Sequence, residues 1–410
     1  MSERVNTIIV GGGQAGLALS YCLQQLGHEA IVLEAADKPA YTWRDQRWDS
    51  FTLVTPNWSF LLPGAEYEET DRNGFMPRDE VVKRIEQYVE YNHLPIQYQS
   101  LVKSVEVEED ENKYAVMTDG KIYLANNVII ATGLFQRGKK PSFATDVPPD
   151  IAQIYSGEYK NPQSIEPGPV LVVGSAQSGA QIAEELQENG RKVYLCVSNA
   201  GRVPRRYRGR DIVEWLQDIG FFDRTINDLT STRERFRGNP HVSGKNGGHT
   251  INLNILHHNG MTLLGHLRGV QGGKLIIAPD LKESLEKANQ FESGLLERID
   301  QYIEREGLTP PEEHISRQSD AEQALSILEL DVKTTGIKTI IWACGYSFDF
   351  GMVKLPVLDE TGFPITARGV TRFPGLYFFG LPWMDRMKTG LFLGVKESAE
   401  YLAEKIVQTP

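Results

Sequence analysis

The chain has 410 residues, 40% of them hydrophobic and 24% charged, the make-up of an ordinary globular protein long enough for two domains. A net charge of −11 argues against a general nucleic-acid or anionic-membrane surface, since both would repel it. Cys22, Cys196 and Cys344 never form a Cys-x-x-Cys pair, so neither a dithiol redox centre of that kind nor structural disulfides are expected. The chain runs from MSERVN directly into a strand and has no apolar run near the ~20 residues of a membrane span, so the expectation is a cytoplasmic protein without a signal peptide.

Residues 7–10 (TIIV) read as a buried parallel strand. Ala15 to Leu26 has helical periodicity and stops at Gly27, and the next strand covers Ala30 to Leu33, which makes a βαβ unit. Gly11, Gly13 and Gly16 fall in the turn with G-x-G-x-x-G spacing. The first glycine permits the turn, the second lets the backbone approach a pyrophosphate, and the third allows close packing of helix on strand. The helix start at Gln14 and Ala15 adds N–H donors and the positive end of a dipole. Glu34 closes the unit where a carboxylate can accept from a ribose diol. An amphipathic helix follows at 79–92, with Val81, Val82, Ile85, Tyr88 and Val89 on one face. Segments 101–125 alternate as a small antiparallel meander, and VIIATG (128–133) returns to the sheet, ending at Thr132-Gly133.

Two Pro-rich stretches, 141–150 and 161–169, mark the expected domain crossing. A second unit then begins at Val170 and places Gly174, Ala176 and Gly179 where the first has its glycines, with Gln177 and Ser178 at the helix start. Both copies carry a further glycine at the same offset, Gly27 and Gly190. The position of Glu34 is taken by Val197. A carboxylate ~4 Å from a 2′-phosphate would cost about 4 kcal/mol at an effective dielectric near 20. Its removal, followed by Ser198, Arg202, Arg205 and Arg206, predicts NADPH rather than NADH. Such a basic run is otherwise a solvated loop; its start just past the strand end favours the phosphate.

Residues 205–330 are less regular, with a hairpin around GVQGGKLII and a helix over roughly 281–305. The strand TIIWACGY (339–346) repeats the pattern of VIIATG and carries Gly345, while LYFFGLPW carries Gly380 before a last helix from about Val395 to Val407. Strand ends such as Thr132-Gly133 and Gly380 should face a cofactor crevice. The reading is α/β, with two Rossmann-like dinucleotide-binding domains. The first is discontinuous (1–165 and 331–410), and the second (166–330) is inserted in it with a substrate-side insertion at about 205–330. His257-His258 has no partner at ligand spacing, so no metal is expected.

The order of these motifs, with the linker SGEYKNP and the segments WDSFTLVTPNW, VPRRYRGRD and SGKNGGHTINL, resembles the single-component (class B) flavin-dependent monooxygenases. It is most similar to bacterial members grouped with the flavin-containing monooxygenases or labelled potassium-transport flavoproteins. The resemblance implies FAD in the first unit, NADPH in the second and O₂ as co-substrate. It further implies a flavin hydroperoxide that oxygenates a nucleophilic N or S of a small molecule, with amine N-oxygenation favoured. Trp43, Arg44 and Asn57 would lie beside the isoalloxazine, and His249 would touch substrate or nicotinamide. The linker signature F-x-G-x-x-x-H-x-x-x-[YFW]-[KR] is matched at Tyr159-Lys160, but Tyr155 stands at its His. Val54 occupies the position of a flavin-side Asn, with Asn57 beyond the proline. Two alternatives stay open: an NADPH oxidase or reductase without oxygen insertion, and a regulatory redox flavoprotein. Neither nucleic acid nor membrane is expected as a partner, and a homodimer is left open.

Overall fold

The computed structural model describes residues 2–108, 113–198, 201–236, 240–315 and 326–408. Two parallel sheets carry it, and they are built alike. In the first, the strand Ser2–Val10 lies between Ala30–Leu33 and Ile122–Ile130, with Ile96–Gln97 beyond the former and Leu376–Phe378 beyond the latter. In the second, Val170–Val173 lies between Val193–Cys196 and Thr339–Trp342, with Thr262–Leu264 and Ala152–Tyr155 outside them. Every one of these pairings is parallel, and the runs TIIV, VLVV and TIIW are buried throughout, as strands covered on both faces must be.

The meander forms as read: Val102–Glu108 and Lys113–Thr118 pair antiparallel, and the latter pairs with the first half of Ile122–Ile130. Helix Arg78–Tyr91 buries Val81, Val82, Ile85 and Tyr88. The last helix, Phe392–Gln408, packs along helix Gln14–Gln25, and its Val395, Ala399, Leu402 and Ile406 share one buried core with Leu17, Leu19 and Leu23.

Sheet membership can be read strand by strand on either side of positions 165 and 331. Ala152–Tyr155 and Thr339–Trp342 belong to the second sheet, because each is hydrogen-bonded in register within it. The two chain crossings are instead paired with each other, Arg137–Gly138 antiparallel to Tyr346–Ser347. Pro-rich composition marks where the chain leaves regular structure; it does not mark which sheet the next strand joins. Within the insertion, helices Ile212–Asp218 and Leu281–Arg305 build a core of Trp215, Phe221, Phe222, Leu295 and Ile299 that also takes in Trp383 and Met387.

Candidate active site

The two glycine turns have the same internal geometry. Gly11 (φ +113°) and Gly174 (φ +102°) each press against the neighbouring strand. A Cβ would lie 2.7 Å from the Ala131 carbonyl oxygen in the first and 2.6 Å from that of Ala343 in the second. At Gly16 and Gly179 a Cβ would sit 2.0 and 1.9 Å from the carbonyl oxygens of Gly11 and Gly174, so helix and strand touch only because these residues lack side chains. Gly13 differs: a Cβ there would meet no protein atom within 4 Å. The fold therefore requires the outer two glycines, whereas the middle one leaves room for something that is not protein. That also explains Ala176, which fills the equivalent position without strain. Both helices start from an extended residue, Gly13 and Ala176, with no side-chain cap. Their first N–H groups stay available to a pyrophosphate.

Past the next strand the cradles diverge. The Glu34 carboxylate accepts from the Gly12 N–H (2.6 Å) and the Ala36 N–H (2.8 Å), which holds it at the strand end above the turn. Val197 is buried, and its N–H donates to the Leu264 carbonyl oxygen (2.9 Å). Beside it the Ser198 N–H donates to the Ser175 hydroxyl (2.9 Å). The second cradle thus presents hydroxyls and an apolar side chain where the first presents a carboxylate.

The arginines expected at the 2′-phosphate are mostly committed elsewhere. Arg202 is buried against Glu292 (2.6 Å) and Asn289 (2.8 Å) of the long helix. Arg205 is 2% exposed, pairs with Asp211, donates to the Val54 carbonyl oxygen (2.7 Å) and lies over the Phe75 ring (4.7 Å). It clasps the second domain onto the first. Arg206 is exposed and donates to the carbonyl oxygens of Gly247 (2.8 Å) and Gly248 (3.1 Å). Arg205, expected at the 2′-phosphate from its proximity to the strand end, has its guanidinium engaged by Asp211 and the Val54 carbonyl oxygen.

Around the first cradle several expected residues do converge. The Trp43 indole N–H donates to the Gln14 side-chain oxygen (3.3 Å), and the Gln14 amide donates to the Gly390 carbonyl oxygen (3.1 Å). Trp43 stacks on Phe392 at 5.5 Å, so the fingerprint helix, the loop after the first βαβ unit and the start of the last helix form one wall. Gly380 packs on Ala15, where a Cβ would lie 2.2 Å from the alanine methyl. Thr132 and Gly133 are held by the Gln136 amide at 3.2 and 2.9 Å. Gly345 has open space around it and accepts from the Lys139 N–H (2.9 Å). Arg44 is directed to the Pro39 carbonyl oxygen (2.8 Å), Asp45 and Glu86.

Asn57, Tyr155 and His249, singled out in the sequence, have the following surroundings. Asn57 is buried and donates to the Asp71 carbonyl oxygen (2.9 Å), while its own side-chain oxygen is buried without a partner. Tyr155 ends an edge strand of the second sheet, its ring packed under Gly138. The His249 ring binds Glu184 (2.9 Å), which raises its pKa, and lines a cleft of about 350 Å³ with Gln187 and Leu256. The sequence reading missed the set Tyr159–Glu185–Ser50. The tyrosine hydroxyl donates to Glu185 (2.8 Å) and so does Ser50 (2.5 Å), tying the linker, the second fingerprint helix and the first domain together. The signal was there: Tyr159 is the matched half of the linker signature. Cys22, Cys196 and Cys344 are unpaired, the first two buried and Cys344 exposed.

Residues 8–217 match the family model described as pyridine nucleotide-disulphide oxidoreductase. An uncharacterized CzcO-like oxidoreductase of Geobacillus kaustophilus is 31% identical over 409 residues, 99% of both chains. Indole-3-pyruvate monooxygenase YUCCA1 of Oryza sativa subsp. japonica is 26% identical over 308 residues, 72% of this chain and 75% of its own. Among solved structures, a flavin-containing monooxygenase from Stenotrophomonas maltophilia superposes with a TM-score of 0.67 at 17% identity, covering 99% of this chain and 98% of its own. The family match spans both glycine cradles and the linker that joins them, and the chain belongs to the pyridine nucleotide-disulphide oxidoreductase family.

Proposed function

We propose that the protein is an FAD-dependent monooxygenase that uses NADPH and O₂ to place one oxygen atom on a nucleophilic nitrogen or sulfur of a small molecule, the second oxygen leaving as water. One observation carries the reading: two dinucleotide cradles occur in one chain whose three cysteines are unpaired. A hydride passed from one cofactor to the other then has no dithiol to move on to, which favours oxygen as the acceptor. The names of the rice and Stenotrophomonas proteins point the same way, and the former is named for a small organic substrate.

The first cradle fits FAD. Gly13 leaves the space, the uncapped helix start would supply pyrophosphate donors, and Glu34 would accept from a ribose. When bound, FAD supplies the hydride acceptance and oxygen activation; the protein supplies position and dryness. Gln14 and Trp43 fix the wall against Gly390 and Phe392, and the apolar rings there exclude water from the reacting centre. Gly174, Ala176 and the second helix start would hold the NADPH pyrophosphate, and Val197 would leave the 2′-phosphate unopposed by a carboxylate.

The test is product analysis under ¹⁸O₂. With NADPH and a panel of tertiary amines and thioethers, the expected result is an N-oxide or sulfoxide carrying one ¹⁸O, with NADPH consumed in excess of peroxide released. Peroxide equal to NADPH for every compound would overturn the reading. It would establish instead the oxidase reading, which the inward-turned Asn57 favours.

A further inference from the structure

Arg47 stands apart from the other arginines of the crevice. Arg44, Arg78, Arg202 and Arg205 each have a carboxylate within ion-pair distance. Arg47 has none among the described residues. Arg47 is half-buried, and the Tyr346 phenol is the one ionisable group whose charge favours its cation there. One guanidinium N–H donates to the Gln46 carbonyl oxygen (2.9 Å). None of its nitrogens is among the buried polar atoms that lack a partner, so the unused donors reach accessible space.

Its surroundings come from both halves of the molecule. The guanidinium lies 5.4 Å from the Trp43 ring centroid, 5.6 Å from Phe51 and 5.4 Å from Phe135. Trp43 is bonded to Gln14 of the first cradle. Phe135 follows Thr132-Gly133, Tyr346 follows Cys344-Gly345, and these two rings meet edge to face at 5.3 Å. Arg47 therefore stands where the ends of the two corresponding strands converge. The segment presenting it is pinned. Lys160 donates to the carbonyl oxygens of Asp45 and Arg47, the Asp49 N–H donates to the Lys160 carbonyl oxygen (2.8 Å), and the Asp49 carboxylate is held by Asn161 (2.6 Å) and Arg78 (2.9 Å).

Aromatic rings attract a cation but leave its N–H groups unsatisfied, and a half-buried cation without an anion has given up part of its hydration, which an oxyanion would replace. A planar guanidinium on a rigid segment suits two-point binding of a carboxylate or phosphate. We propose that Arg47 is the anion-recognition residue of this crevice, binding an oxyanion carried by the molecule that enters between the two cradles. Such a group has two sources, a carboxylate on the substrate or a phosphate of the dinucleotide. The proposal rests on the crevice being the cofactor site, as read above, and it narrows that site's ligand to a molecule bearing an acidic group.

The test uses the FAD-loaded full-length protein and reads dissociation constants from changes in the flavin spectrum. The probes are thioanisole, (phenylthio)acetate and NADP⁺, measured with wild type, Arg47→Met and Arg47→Lys. A substrate carboxylate predicts that (phenylthio)acetate binds wild type roughly ten-fold or more tighter than thioanisole, as a charged hydrogen bond allows. Arg47→Met then erases the difference and leaves thioanisole unchanged. A dinucleotide phosphate predicts a comparable loss for NADP⁺ alone. Arg47→Lys keeps the charge without the fork and falls between, which preserves the comparison if the methionine variant holds less FAD. All three constants unchanged within two-fold in both variants overturn the proposal. Because binding needs no turnover, the role of Arg47 stands or falls on these constants alone, whereas the monooxygenase reading falls only if every compound of the amine and thioether panel returns peroxide equal to NADPH.

Discussion

Arg205→Met separates two accounts of the basic segment after the second cradle. Were Arg205 a ligand of the 2′-phosphate, its loss would weaken NADPH alone. The structure instead buries it against Asp211 and ties it to the Val54 carbonyl oxygen and the Phe75 ring of the other domain. Removing one member of a buried ion pair costs roughly 3–5 kcal/mol, because the other charge stays behind. Asp211 retains one compensation, the Val213 N–H at 2.8 Å, which caps helix Ile212–Asp218. That places the expected loss near the lower end, about 3 kcal/mol, a large part of the 5–15 kcal/mol that holds a domain folded. The assay pairs a urea midpoint with kcat/KM for NADPH and NADH. The expected outcome is a clearly lower midpoint and a similar fractional loss with both coenzymes, since the clasp sets the distance between domains for either. The double variant Arg205→Met/Asp211→Asn should recover part of the midpoint, because the stranded charge is gone. An unchanged midpoint with a loss confined to NADPH would refute the clasp and return Arg205 to the phosphate.

Gly13→Val should leave the urea midpoint of the apoprotein nearly unchanged, since no protein atom lies where the side chain would begin, yet abolish retention of FAD on gel filtration. A variant that keeps its yellow colour would show that the cradle is not the FAD site. Glu34→Gln should weaken FAD by roughly ten-fold, as one charged acceptor is lost, measured by fluorescence quenching on titrating the apoprotein. His241 is buried beside Arg202, and burial lowers its pKa from 6.5 to about 4. The unfolded chain then takes up the proton first, so stability falls as pH drops from about 6.5 towards 4, by at most roughly 3 kcal/mol. His241→Gln should flatten that part of the pH–stability curve, and an unchanged slope between pH 7 and 5 would count against the buried neutral ring.

The parts of the molecule legible in the sequence are those specified by local chemistry. Gly11, Gly16, Gly174 and Gly179 announce themselves because no other residue fits where a Cβ would meet a carbonyl oxygen or backbone at 2.7 Å or less. The strands are equally plain, since a run buried on both faces has to be apolar. What the spacing could not carry is the direction of a long side chain. Arg205 and Arg206 are neighbours in sequence, yet one is buried and the other exposed. The difference is set by Asp211, Val54 and Phe75, two of which come from the other domain. Asn57 and His249 follow the same logic: the Asp71 carbonyl oxygen claims one and Glu184 the other, and neither pairing shows in a motif.

The half-matched linker illustrates what such a motif can encode physically. Of Tyr159 and Lys160, the tyrosine is fully buried. Through Glu185 the tyrosine ties the linker to the second fingerprint helix and, through Ser50, to the first domain. Through two carbonyl oxygens the lysine fixes the segment from Asp45 to Asp49. A bend that relates two cradles must resist rotation about the crossing strands, and the paired strands Arg137–Gly138 and Tyr346–Ser347 offer only two residue pairs to do so. The linker adds its restraint to that of the Arg205 clasp. Its aromatic-basic end therefore persists here although the histidine position holds Tyr155: the end that bonds both domains carries the geometry, and the histidine position lies on an edge strand of one sheet.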